Sequence, residues 1–241
     1  MIRPLLLSLA LGASSLAHAD LLYAQDPVGP NVGYAWTSQH RLNDGGWLAS
    51  DDFTLAQGAN VQRVTWRGIY LTNNDAGATI DGSPNTDSWT VTFSSDSAGA
   101  PGGALFTRTV DAAQVTRTES PDVGYFGNLP VKVYDFSMDL AGGFDVLAGT
   151  HYWMSVESTV GPGGWWPLFA WTMGQGDAAA TSYQQHLTAA HDADFGTGRA
   201  ANRAFALYGQ THDLPEPASL ALTLLAIAAG IAVRRHAARA G

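Results

Sequence analysis

The sequence contains no cysteine. That excludes disulfide staples, thiolate metal sites, thiol catalysis and acylation at a lipoprotein cysteine, so stability must come from the core itself. Lysine is nearly absent, with Lys132 alone in 241 residues. Glutamate is scarce: 18 of the 21 acidic residues are Asp, leaving Glu119, Glu157 and Glu216. Asp suits turns and loops better than helix surfaces, because its short carboxylate competes for nearby backbone N–H groups. No Gly-rich loop ending in Lys-Ser/Thr occurs, which excludes a P-loop nucleotide enzyme. No Gly-x-Ser-x-Gly elbow is present to seat a serine nucleophile.

Charge of one sign is also thin. Between Asp20 and Leu214, 8 basic side chains face 20 acidic ones, a net of −12. Such a surface repels phosphate backbones, so no nucleic-acid partner is expected, and it favours solubility after export.

The ends carry the clearest signals. Arg3, the apolar stretch Leu5 to Ala13 and the small residues Ala17 and Ala19 have the three-part order of a secretion leader. Signal peptidase is expected to cut between Ala19 and Asp20. At the other end, Pro215-Glu216-Pro217 precedes an uncharged run from Ala218 to Val233, closed by Arg234-Arg235-His236. The two prolines keep a helix from running back into the preceding domain. The 16-residue run makes a helix of about 24 Å at ~1.5 Å per residue, short of a ~30 Å hydrocarbon core but within reach of local thinning. Arg234 and Arg235 act as the membrane stop and fix the C-terminus inside.

This tail resembles the PEP-CTERM sorting signal recognised by exosortases, with Leu214 where many members carry Val and with extra residues out to Gly241. The resemblance covers about the last 27 residues. It implies a single transmembrane helix that holds the protein transiently in the inner membrane of a Gram-negative bacterium. An exosortase would then cut near Pro215-Glu216-Pro217 and release the protein to the cell surface or extracellular matrix. The alternative is a plain C-terminal membrane anchor.

The region between alternates with period two. Val64, Trp66, Gly68 and Tyr70 share one strand face, and Thr65, Arg67 and Ile69 the other. The same rhythm runs through Trp89-Val91-Phe93, Tyr134-Phe136-Met138-Leu140, Tyr152-Met154-Val156 and Phe205-Leu207. Turn-forming clusters separate these segments, among them Asn43 to Gly46, Asn73 to Asp75, Gly99 to Gly103 and Gly161 to Gly164. The pattern predicts an all-β fold, an antiparallel β-sandwich or jelly roll over residues 20–213, between a leader at 1–19 and a sorting tail at 214–241. A stretch around Ala178 to Ala190 is the only helix-tolerant piece inside it.

Candidate chemistry in this region is sparse. Asp51-Asp52 reads as a pair of solvated or turn-bonding carboxylates. Abundant Asp leaves room for Ca2+, but the spaced oxygen ligands of a calcium loop are missing, and no cofactor or metal is expected. His186, His191, Asp192 and Asp194 read as a polar loop, since the five-residue histidine gap does not share a helix face, and His40 and His151 read as isolated structural residues. A glycosidase would need two carboxylates on one cleft, and Glu119 and Glu157 are the only glutamates in the domain. Trp165-Trp166, after Gly161 to Gly164, can send one ring into the core and present the other outward to a sugar ring; both rings buried is the plainer outcome.

The expectation is therefore a non-enzymatic exported protein with a structural or adhesive role in exopolysaccharide or biofilm. A glycan-binding module and a secreted hydrolase stand as alternatives.

Overall fold

The structure, a computed structural model, describes residues 19–29, 35–71, 86–126, 129–162, 166–175 and 181–212. The chain divides into two compact units, Met1–Gln210 and Thr211–Gly241, and of the second only Thr211 and His212 are described. Ala17, the sorting motif, the apolar run and the arginine stop all lie outside the described residues. No helix among the described residues is long and apolar enough to cross a membrane.

Period-two alternation produces strands throughout. They are β1 (Asp20–Gln25), β2 (Trp36–Thr37), β3 (Gln39–Arg41), β4 (Gly45–Thr54), β5 (Ala59–Leu71), β6 (Ser88–Asp96) and β7 (Pro101–Asp111). A 3-10 turn at Ala112–Gln114 leads to β8 (Thr116–Phe126), β9 (Leu129–Val146), β10 (His151–Val160), β11 (Leu168–Trp171), β12 (Thr181–Leu187), β13 (Ala193–Ala200) and β14 (Phe205–Thr211). The helix-tolerant stretch is corrected: Thr181–Leu187 is strand β12, because pairing with β4 and β13 on both edges outweighs a weak local helix preference.

The strands form two seven-stranded sheets. The first runs β1-β14-β5-β11-β2, with β9 on the other edge of β5 and β8 beyond it. The second runs β13-β12-β4-β3-β10-β6-β7. The pairings whose register is defined are antiparallel except β3 with β10. Both sheets feed one hydrophobic core: Val61, Val64, Trp66, Phe136, Met138, Phe169 and Leu207 from the first, and Phe53, Val91, Phe93, Tyr152 and Met154 from the second. Aromatic rings span the gap. Trp89 stands edge-on to Phe169 at 4.7 Å, and Phe93 stacks on Phe144 at 4.8 Å. This is sandwich-like packing of antiparallel sheets.

The second sheet forks. Over Ser50 to Thr54, β4 pairs directly with β10, and past that point β3 wedges between them. Ser38 sits at the fork, fully buried; its hydroxyl donates to the carbonyl of Val156 and accepts from the N–H of Ala49 at 2.9 Å. The hydroxyl thus bridges two backbone groups just where their strands diverge, and each would otherwise be a costly orphan. Gly46 lets β4 approach β3 so closely that a Cβ would lie 2.0 Å from the Gln39 carbonyl oxygen.

Asp51 corrects another expectation. It lies well inside β4, its side chain is completely buried, and by strand parity it shares the inner face of Ala49 and Phe53. Its carboxylate accepts from the backbone N–H of Arg203 and from that of Asp52 (3.0 Å), and with the Gln25 amide turned to satisfy its neighbours the amide nitrogen donates to it at 2.6 Å. Burial pushes the Asp51 carboxyl up to about 7, and burial also pulls the neighbouring Arg203 guanidinium down to about 10. Adjacent acids looked solvated because a sequence does not show which residue of a pair faces a core that can satisfy it.

Candidate functional site

The fork creates the most unusual chemistry among the described residues. Glu157 points outward from β10 by strand parity, yet only 4% of its surface is exposed. His40, on β3, is equally buried at 3%. The third member comes from the β12–β13 hairpin, where Thr188 N–H donates to the Asp192 carbonyl and His191 N–H to the Thr188 carbonyl, each at 2.9 Å. The chain turns here with His191 at φ +69°, a left-handed conformation that costs a β-carbon-bearing residue on the order of 1–2 kcal/mol. That turn delivers the His191 ring over Glu157.

The three side chains are tightly grouped. His191 Nε2 lies 2.8 and 3.0 Å from the two Glu157 oxygens, and the His40 and His191 rings are 4.6 Å apart, edge to face. Thr159 donates a further bond to Glu157 at 3.2 Å. The hydrogen bond to Glu157 raises the pKa of His191, whereas burial lowers that of His40. His40 also bonds the backbone of Thr188, an interaction that favours its protonated form. Its Nε2 is buried and has no hydrogen-bond partner among the described residues. A neutral imidazole keeps one nitrogen lone pair for another use.

The other histidines are occupied differently. His151 uses both ring nitrogens, Nε2 on Asp52 at 2.6 Å and Nδ1 on Asp96 at 3.2 Å. His186 pairs with Asp194 at 2.9 Å, stacks on Phe195 and meets Trp47 edge-on. The polar loop expected over residues 186–194 is thus split, with His186 and Asp194 paired across strands and His191 turned towards Glu157. The sequence missed the grouping because its members come from three segments, 151 residues apart at the extremes (His40 and His191). A His in a left-handed turn leaves no sequence signature.

The first sheet carries a different feature on its outer face. Thr65, Arg67, Thr116, Asp135, Ser137 and Tyr208 are among the residues lining a groove of about 370 Å³. Arg67 is held by Asp135 through two bonds (2.7 and 3.0 Å) and by Asp122 at 2.8 Å. Glu119 pairs with Lys132 on this sheet at 3.4 Å, so Glu119 and Glu157 stand on different sheets and are not brought to one cleft.

Trp166 is 41% exposed, two residues before β11 begins, while Trp165 lies outside the described residues. Ala19 is the residue immediately before β1. No family model matches the chain, nor does any curated protein or solved structure.

Proposed function

We propose that the chain is an exported envelope or matrix protein whose all-β domain serves a non-enzymatic structural or adhesive role after an exosortase removes the tail. The observation that carries this reading is the order Pro215-Glu216-Pro217, apolar run, Arg234-Arg235, set against a leader that ends at Ala19. The domain between suits the part. It has no disulfide to form after export, and it packs its aromatic residues into one shared core. Fractionation and immunoblotting in a host that carries an exosortase test the reading. Wild-type protein should pass from membrane to medium or matrix, whereas Glu216→Ala should stay in the membrane because the apolar run is untouched. Equal release of both forms would leave the tail as a simple anchor.

Glycan contact is a second reading, favoured by the exposed ring of Trp166 and by the hydroxyl-rich groove around Arg67. A flat ring can stack on a sugar, and fixed donors and acceptors can meet its hydroxyls. Affinity electrophoresis through the host's exopolysaccharide should show retardation that Trp166→Ala or Tyr208→Ala weakens. Unretarded wild-type protein would remove this reading and leave the sorting proposal standing.

A further inference from the structure

We propose that His40, Glu157 and His191 form a binding site for one divalent transition ion of the zinc class. Each offers one ligand atom, and these atoms lie within 4.8 Å of one another. Ligands on a single zinc, bonded at about 2.0–2.2 Å, stand roughly 3–3.5 Å apart. The His191–Glu157 separations of 2.8 and 3.0 Å lie at or just below that range, and His40 needs only a modest side-chain adjustment to join.

A protonated His191 paired with Glu157 would explain two of the three residues. It leaves His40 unexplained. A second imidazole, nearly inaccessible to solvent, stands against the pair with an Nε2 that has no partner among the described residues. The ring also lies against the Thr188 backbone, and a backbone carbonyl is a common orienting partner of a metal-binding histidine. The same hairpin supplies both Thr188 and His191, so one turn touches one ligand and carries another. His151, with both nitrogens engaged by Asp52 and Asp96, shows what a purely structural histidine looks like in this molecule.

The donor set selects the ion. Two imidazoles and one carboxylate suit zinc or cobalt, whereas calcium asks for six to eight oxygens. The His191 side chain is 51% exposed, so the fourth position opens to solvent and a water completes the coordination. The ion would tie β3 and β10 to the β12–β13 hairpin across the fork.

The test uses the exported protein without a histidine tag, stripped with chelator and titrated with zinc chloride by calorimetry and thermal unfolding. One equivalent should bind. At free zinc a hundredfold above Kd the melting temperature should rise by about 5–10 °C. His191→Asn, at a half-exposed site where folding is not at risk, should weaken binding roughly a hundredfold or more, beyond the ~10–100-fold that losing an outer-shell partner costs. Glu157→Gln and His40→Gln should do the same, and cobalt should give visible d–d absorption that His191→Asn abolishes. His186→Asn and His151→Asn should bind as wild type. The proposal falls if zinc does not bind, if His191→Asn leaves binding intact, if binding is lost instead with His186→Asn, or if calcium raises the melting temperature as much as zinc does.

Discussion

Strands β9 and β10 have the same alternating sequence and opposite surroundings. On β9, Phe136 and Met138 fill the core while Asp135, Ser137 and Asp139 face outward and remain partly or fully exposed. On β10, Met154 and Val156 fill the core, but the outward-facing Trp153, Ser155 and Glu157 are buried as well. The cause lies in the neighbours. Ser155 sits in a cross-strand row with Ser50 of β4 and Tyr183 of β12. The two small serines leave a trough, over which the Tyr183 ring approaches Trp153 at 6.1 Å. Trp153 closes the arrangement by donating to Asp96 at 2.9 Å, while His191 covers Glu157. Alternation therefore reports which side of a sheet a residue takes, and cross-strand neighbours decide whether that side is wet.

Truncation should expose the contrast most sharply. Trp153 is 2% exposed, so Trp153→Ala should cost about 3–5 kcal/mol, the loss expected of a core aromatic. Urea unfolding at constant m-value would measure it. A loss under 1 kcal/mol would mean the outer face of β10 is effectively solvent-exposed, like that of β9.

The inner face of the same sheet yields a pH effect. Folding raises the Asp51 carboxyl to about 7 from 3.8, so between those values the folded protein holds a proton that the unfolded chain has released. Stability must then fall as pH climbs from about 4 towards 7, by up to the order of a few kcal/mol. Asp51→Asn should flatten that part of the profile. A variant with the wild-type slope would assign the titration to another group.

Ser38→Ala probes the fork that separates β3 from the direct β4–β10 ladder. It strands the Ala49 N–H and leaves the Val156 carbonyl short of one donor, at a cost of about 1–3 kcal/mol. Amide exchange should quicken at Ala49 before the rest of β4; uniform exchange would show that the hydroxyl is not bridging the divergence.

The smallest effects belong to exposed positions. Asp139→Ala breaks an exposed pair with Arg63 and should cost no more than about 1 kcal/mol. At the β6–β7 turn, Ala98 and Gly99 both take positive φ, 55° and 81°, as a two-residue hairpin loop of this type requires. Ala98→Gly should relieve strain and gain roughly 0.5 kcal/mol after the entropy that glycine adds to the unfolded chain. A loss in thermal unfolding would mean the Ala98 methyl contributes more than its backbone costs.

Much of this was legible in the residues alone. The faces assigned to β5, β6, β9, β10 and β14 are those that pack the core, because a pleated strand has only two sides and apolar residues must share one. Ile69 is an instructive exception: it lies on the outer side of β5 yet is buried in a second small cluster with Val131, Val133 and Ala170. The candidate site was not legible. His40 and Glu157 sit in ordinary strand contexts, and nothing near either announces the other.

The sequence by itself determined the all-β class, the absence of any thiol chemistry and the side that β5, β6, β9, β10 and β14 turn to the core. These follow from local periodicity and composition, which act through the nearest few residues. Only the tertiary structure decided that Asp51 is buried against Arg203, that β10 is covered on both faces, and that His40, Glu157 and His191 meet at the fork. Those outcomes depend on strand order and on how one sheet splits and curls, and they are set by contacts between residues distant in the chain.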